Sequence, residues 1–175
     1  MDKKQIETQV TVLLKEYGYV FEKDDYVDIV DFVQHFGFIV GNAKLDDHED
    51  GFLAIQTSDM AKNGNELAND KIIGVNAKRS LDWKRFIIAH EFAHSVLHYK
   101  VGEIYLHREN KKGKDEEEND ADYFAAALLM PEESFKRLYR QFKEAGSNET
   151  AICLQLSTIF KVPLDSVSRR ISEVF

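Results

Sequence analysis

Two histidines and a glutamate occur with the spacing His90-Glu91-x-x-His94 near the middle of the chain. Residues four apart lie on one face of an α-helix, so the two imidazoles can point at a single ion. Imidazole is a preferred ligand of Zn²⁺, and a catalytic zinc site adds a third protein ligand and one position open to water. Glu91 lies on an adjoining flank, where it could take a proton from that water. The spacing therefore predicts a catalytic zinc site.

The flanking residues support a metal site. Residues 86–97 are apolar on almost every side of the predicted helix, apart from these three groups, and such helices are usually buried. Burying ionisable groups without partners is costly, so His90, Glu91 and His94 need partners. The same spacing arising by chance would more often fall on an amphipathic surface helix, which leaves a bound ion as the better explanation.

The next histidine is a poor third ligand. His98 lies four residues after His94 but eight after His90, and eight residues span about 12 Å along a helix axis. A straight helix cannot bring ligand atoms from both ends of that span within about 2 Å of one ion. We therefore interpret His98 as a residue of the helix C-terminus, where the helix dipole favours it.

A carboxylate on a later helix is the better candidate. Glu118 is predicted to complete a ligand set of two histidines and one glutamate, while Glu117 stays as the alternative because the acidic run leaves the register open. Asp122 lies four residues after Glu118, where it could accept a hydrogen bond from a ligand imidazole and fix its tautomer. The helix dipole alone also favours acidic residues in a first turn, which accounts for most of this run but less well for Asp122.

Two other parts of such a site stay open. A developing oxyanion needs a hydrogen-bond donor, and the sequence offers four candidates without favouring one: Tyr99, Tyr105, His107 and Tyr123. The apolar run at residues 71–75 is either an ordinary core strand or an edge strand that pairs with an extended substrate.

Hydrophobic periodicity predicts the elements that position these residues. Apolar residues at helical spacing predict helices at residues 5–17, 26–36, 80–99, 116–130, 149–160 and 163–174, with a further helix starting at Pro131. Short β-like runs predict three strands, at residues 38–40, 52–55 and 71–75, and the polar residues 101–115 predict a loop. We expect an α+β fold in which a small, mainly antiparallel three-stranded sheet packs against the buried metal-binding helix.

The chain is predicted to form a metallopeptidase domain, residues 1–145, with a helical C-terminal extension, residues 146–175, packed on it. The extension has a helix-turn-helix character, but its three basic residues are balanced by three acidic ones: Lys161, Arg169 and Arg170 against Glu149, Asp165 and Glu173. DNA binding needs a basic face. The extension is therefore predicted to serve packing or partner binding.

Overall charge and composition narrow the cellular setting. The net charge of −8 disfavours nucleic acid and anionic membrane surfaces as partners. Cys153 is the single cysteine, so no internal disulfide can form, which suits a reducing compartment. Neither a signal peptide nor an apolar run long enough to span a bilayer is visible. These features predict a soluble, cytoplasmic protein.

Several segments combine into a pattern more specific than the histidine spacing alone. They are residues 87–94, the Glu118-x-x-Ala121-Asp122 segment, Leu128-Leu129-Met130-Pro131, and an upstream strand that ends at Asn76. Over residues 25–135 this combination resembles the ImmA/IrrE metallopeptidases. Two positions depart from the family: Asp122 replaces a frequent Asn, and Ala93 a frequent Gly. An Asp there matches the E-x-x-x-D helix of thermolysin-like zincins.

The resemblance implies a zincin-like (gluzincin) fold and endoproteolysis of a cytosolic protein, often a transcriptional repressor of a phage, mobile element or stress regulon. We therefore predict a zinc endopeptidase with such a repressor as its substrate. Two alternatives stay open. A non-catalytic metal-binding regulator would have no use for Glu91, and a DNA-binding regulator acting through the C-terminal helices conflicts with the acidic charge. The sequence indicates neither the cleaved bond nor an oligomeric state.

Overall fold

The fold combines helices and strands, as the α+β prediction expected. The computed structural model describes residues 1–56, 70–100, 105–108 and 116–175. Within these ranges the elements, in chain order, are α1 (Lys3–Tyr17), α2 (Ile29–His35), β1 (Phe38–Ala43), β2 (Gly51–Gln56), β3 (Asp70–Asn76), α3 (Leu81–Leu97), β4 (Tyr105–Arg108), α4 (Glu116–Leu129), α5 (Glu132–Glu144), α6 (Glu149–Phe160) and α7 (Leu164–Val174). None of these helices combines the length and the hydropathy that a membrane span requires.

Local signals account for the ends of the first helices. Asp2 and Asp28 cap α1 and α2, because their side chains accept hydrogen bonds from backbone N–H groups of the first turn. Gly18 ends α1 in a left-handed conformation with a φ of 93°, which is unfavourable for a residue with a Cβ. The cap at Asp28 explains why α2 begins at Ile29 and not at residue 26, as the periodicity had predicted.

Four strands form one sheet in the order β1-β3-β2-β4. Strand β2 is antiparallel to β3 and β4, whereas β1 is parallel to β3, so the sheet is mainly antiparallel, as predicted. All three predicted strands are present. The added strand β4 lies inside the predicted loop at residues 101–115, and with four residues it is too short to show a clear alternating pattern. Because β3 lies between β1 and β2, residues 71–75 form a core strand and not an edge.

Helix α3 is buried along most of its length. Its residues 86–94 are all buried, as expected for a helix that is apolar on almost every side. The ring of Phe92 packs against four other phenylalanine rings at centroid distances of 5.3–6.2 Å: Phe32, Phe36, Phe38 and Phe124. Aromatic pairs of this kind stabilise a fold by about 0.5–1.5 kcal/mol each. Phe92 therefore ties α3 to α2, β1 and α4.

The last helix is anchored in the core. Arg170 is fully buried, and it donates hydrogen bonds to the Met130 carbonyl at 3.1 Å and to the Glu7 carboxylate at 2.6 Å. Its guanidinium carbon also lies 5.7 Å from the centre of the Tyr123 ring. Helix α7 thus connects α1 to α4. The division of the chain between residues 145 and 146 stays a prediction.

The start of β2 packs closely against α3. A Cβ at Gly51 would lie 2.5 Å from Ile87 Cγ2 and 2.9 Å from the Gly74 carbonyl oxygen. We predict that Gly51→Ala lowers the free energy of unfolding by about 1–3 kcal/mol, which is the usual cost of overpacking. Urea denaturation measures this change.

The matched control is Gly41→Ala on β1. A Cβ there has no atom of the described residues within 4 Å. We expect it to alter the free energy of unfolding by less than about 0.5 kcal/mol. Equal stabilities for the two variants would contradict the close packing at Gly51.

Candidate metal centre

The two predicted histidines point their ring nitrogens at one place. Helix α3 carries both, and the Nε2 atoms of His90 and His94 are 3.1 Å apart. Both residues are buried. The four-residue spacing on a regular helix therefore produces the convergence that the sequence predicted.

Helix α4 brings a carboxylate to the same place. Glu118 Oε2 lies 3.2 Å from His90 Nε2, and Glu118 Oε1 lies 3.5 Å from His94 Nε2. Glu117 is exposed, whereas Glu118 is half-buried. Of the two carboxylates that the sequence left open, Glu118 is the one that faces the histidines.

The donor set fits a tetrahedral metal ion. Donor atoms about 2.0–2.1 Å from such an ion lie about 3.3 Å from one another. The two Nε2 atoms are 3.1 Å apart, and each lies near a different oxygen of Glu118, at 3.2 Å for His90 and 3.5 Å for His94. One ligand atom from each of His90, His94 and Glu118 lies within 4.8 Å of the others. These three residues could therefore hold a metal ion.

The outer nitrogen of each histidine also has a neighbour. His90 Nδ1 donates a hydrogen bond to Asp122 Oδ1 at 3.0 Å, the contact that the four-residue step from Glu118 predicted. His94 Nδ1 lies 3.0 Å from His98 Nδ1. His98 caps the C-terminus of α3, as expected, but its contact with His94 was missed. The four-residue spacing from His94 to His98 was the available signal.

Glu91 lies between α3 and the sheet. It is fully buried, and its Oε1 would be 3.4 Å from a Cβ at Gly51. The Glu91 carboxylate therefore lies close to the start of β2. The negative charge of Glu91 acts on the neighbouring His90 ring.

The protonation of His90 reflects these surroundings. Burial lowers the pKa of an imidazole. The hydrogen bonds to Asp122 and Glu118, together with the charge of Glu91, outweigh burial and raise the pKa of His90 to about 10. In the metal-free site the His90 ring is therefore protonated at both nitrogens and positively charged at neutral pH. One of these protons has to leave before the nitrogen can bind a metal.

The C-terminal helix also reaches this site. Arg169 Nη1 on α7 lies 3.4 Å from Asp122 Oδ2, across 47 residues of sequence. Sequence reasoning missed Arg169, because nothing in the local pattern of α7 indicates which distant residue it meets. This contact connects the C-terminal extension to the residue that holds His90.

A family comparison agrees with this geometry. The model of the Peptidase M78 family, described as the IrrE N-terminal-like domain, matches residues 50–172. The match covers well over half of the chain and includes every residue of the metal centre. The chain belongs to this family. The resemblance to ImmA/IrrE proteins is thereby confirmed, and membership of the IrrE-like family suggests a metallopeptidase.

Solved structures show the same fold elsewhere. A Mycobacterium tuberculosis transcriptional regulator is similar with a TM-score of 0.55 and 16% identity, and the alignment covers 97% of this chain and 46% of that chain. At this identity the similarity concerns the fold alone, and the present chain spans less than half of that protein. No match was found among curated proteins.

One of the four candidate oxyanion donors of this IrrE-like domain is engaged elsewhere. The Tyr123 hydroxyl donates a hydrogen bond to Glu7 on α1 at 2.9 Å. Burial, followed by the contact with Glu7, raises the pKa of Tyr123 to about 12. The side chains of Tyr105 and His107 lie outside the described part of the chain. Tyr99, half-buried just beyond the end of α3, stays a candidate.

The raised pKa of His90 predicts proton release on metal uptake. At pH 7 we expect Zn²⁺ binding to release at least about one proton, because the ring has to be neutral to ligate. Apparent zinc affinity should rise with pH up to the His90 pKa of about 10. Titration calorimetry in two buffers of different ionisation enthalpy measures the released proton. Identical heats in both buffers would contradict the prediction.

The same pKa shift predicts how the stability of the metal-free fold changes with pH. The pKa of His90 in the fold lies above the ordinary value of 6.5. Its charged ring therefore stabilises the metal-free fold fully below about pH 6.5, and this contribution is lost as the pH rises towards about 10. Asp122→Asn is the control, since weakening that hydrogen bond should reduce both the pH dependence and the proton release.

Proposed function

We propose that the protein is a cytosolic zinc-dependent endopeptidase that cleaves a regulatory protein, such as the transcriptional repressor of a phage or mobile element. One observation carries the proposal. Two imidazole nitrogens and a carboxylate lie 3.1–3.5 Å from one another, beside the fully buried Glu91. Membership of the peptidase family supports the same activity.

In this proposal His90, His94 and Glu118 hold the zinc ion. When bound, zinc would supply Lewis-acid chemistry, lowering the pKa of a water molecule towards about 7 and polarising the scissile carbonyl. Asp122 occupies the Nδ1 side of His90, which leaves Nε2 for the metal and fixes the ring orientation.

Glu91 acts as the general base. Its carboxylate accepts a proton from the attacking water and then delivers that proton to the amine nitrogen as the C–N bond breaks. Burial keeps bulk water from competing for the proton. The position directly after His90, on the adjoining flank of α3, places Glu91 beside the ligand set without making it a ligand.

The two alternatives explain fewer contacts. A non-catalytic metal-binding regulator would have no use for Glu91, whose burial is costly. A DNA-binding regulator would need its basic residues on the surface of the C-terminal helices. Arg170 is instead fully buried, and Arg169 contacts Asp122 and Glu173. These contacts favour the peptidase.

Support for a repressor substrate comes from the family resemblance. The similar Mycobacterium tuberculosis structure is itself named a transcriptional regulator, although this chain covers only 46% of it. The net charge of −8 favours a protein partner over a nucleic acid. The single cysteine suits a cytosolic setting.

The role of Glu91 predicts a separation of binding from cleavage. We expect the wild-type protein to cut the repressor encoded beside its gene at a discrete site. Glu91→Gln should lower the rate by about 100- to 10,000-fold, the usual contribution of a general base. Both proteins should bind about one zinc ion per chain. Gel electrophoresis, product mass and metal analysis measure these outcomes, and equal cutting by both proteins would remove Glu91 from the mechanism.

The third ligand predicts a contrast between two neighbouring glutamates. Glu118→Ala should weaken zinc binding by more than about 100-fold, since removing even a partner of a ligand costs about 10- to 100-fold. Glu117→Ala removes an exposed carboxylate of the same helix turn and should bind zinc like the wild type. Chelator competition measures both affinities. Full zinc retention by Glu118→Ala would reject this ligand.

A further inference from the structure

We propose that Arg169 is a positioning residue of the metal centre, acting through Asp122 on His90. The proposal rests on the proposed zinc site and adds a role for the C-terminal extension. Asp122 Oδ1 accepts a hydrogen bond from His90 Nδ1 at 3.0 Å, and Asp122 Oδ2 lies 3.4 Å from Arg169 Nη1. A continuous series of contacts therefore runs from α7 to a metal ligand.

The two oxygens of Asp122 have different partners. One holds the imidazole of His90 and the other contacts the guanidinium of Arg169. A carboxylate held at both oxygens cannot rotate freely about its terminal bond, so the hydrogen bond to His90 keeps one direction. The ring orientation of a metal-ligating histidine depends on this kind of outer partner.

The guanidinium of Arg169 is itself held in place. Its Nε donates a hydrogen bond to Glu173 Oε1, one helical turn later, at 3.1 Å. The neighbouring Arg170 anchors α7 through the Met130 carbonyl and the Glu7 carboxylate. Arg169 therefore reaches Asp122 from a fixed helix, which limits the entropy lost when the pair forms.

This ion pair differs from an ordinary surface pair in one respect. Arg169 is about half exposed, with 47% of its side chain accessible, whereas the Asp122 side chain is 9% accessible. Pairs between two exposed side chains contribute little to stability. Here the buried acceptor, Asp122, also holds His90. We therefore expect loss of Arg169 to have a small effect on overall stability and a larger effect on metal binding.

A double-mutant cycle tests the proposal. Zinc dissociation constants are measured by chelator competition for the wild type, Arg169→Met, Asp122→Asn and the double variant. Asp122→Asn should weaken binding by about 10- to 100-fold, and Arg169→Met, one step further from the metal, by about 3- to 10-fold. If Arg169 acts through Asp122, the double variant should bind as weakly as Asp122→Asn alone.

Two further measurements separate positioning from a general loosening of α7. The visible absorption bands of the Co²⁺-substituted protein should shift in Arg169→Met, because the ligand geometry changes. Arg169→Lys keeps the charge and should recover most of the affinity. Arg140→Met, which removes an exposed arginine on α5, should match the wild type in affinity, spectrum and thermal unfolding.

The outcomes distinguish this inference from the proposed function. A wild-type protein that takes up no metal would overturn both. If the wild type binds zinc, an unchanged affinity in Arg169→Met would overturn the role of Arg169 alone. The role of Arg169 would also be overturned if the losses of zinc affinity in the two single variants multiplied in the double variant. The same holds if Arg169→Lys bound zinc as weakly as Arg169→Met.

Discussion

Burial of three ionisable side chains in one apolar helix is the constraint on which the rest of the structure depends. His90, Glu91 and His94 are 5%, 0% and 1% exposed. Such groups without partners would cost several kcal/mol, so α3 is a favourable core helix only when α4 supplies carboxylates. Glu118 and Asp122 meet this need from one face of α4. The candidate metal centre is therefore part of what makes the core compatible with this sequence.

Helices α3 and α4 contact each other, and both carry small buried side chains. Ala89 and Ala93 on α3, and Ala121 and Ala125 on α4, are fully buried. Small side chains allow two helices to approach closely, and the Glu118 carboxylate on α4 reaches both histidines on α3. The large ring of Phe92 fixes α3 against α2, β1 and α4. Within α3, small alanines and the large ring of Phe92 thus lie close together in sequence, at residues 89–93.

Features that depend on helical periodicity were predictable from the sequence, and features that depend on distant contacts were not. The spacing within α3 and within α4 indicated the residues that converge, and α6 has the predicted bounds. The choice between Glu117 and Glu118 depends on the rotation of α4 about its axis, which tertiary packing determines. Strand β4 owes its existence to pairing with β2, so that Arg108 lies opposite Phe52. No local sequence pattern predicts pairing between two strands that lie so far apart in the chain.

The C-terminal helix shows why a count of charges gives an incomplete account of a segment. By composition, residues 146–175 are neutral, which argued against DNA binding and left packing or partner binding as the predicted role. In the structure the two adjacent arginines have different surroundings, because consecutive helical positions are about 100° apart around the axis. Arg170 is buried between α1 and α4, and Arg169 turns towards Asp122. A one-residue shift in the register of α7 would turn each side chain by about 100° and would remove both arginines from their present contacts. The anchoring of α7 and its contact with the metal centre therefore depend on the same register.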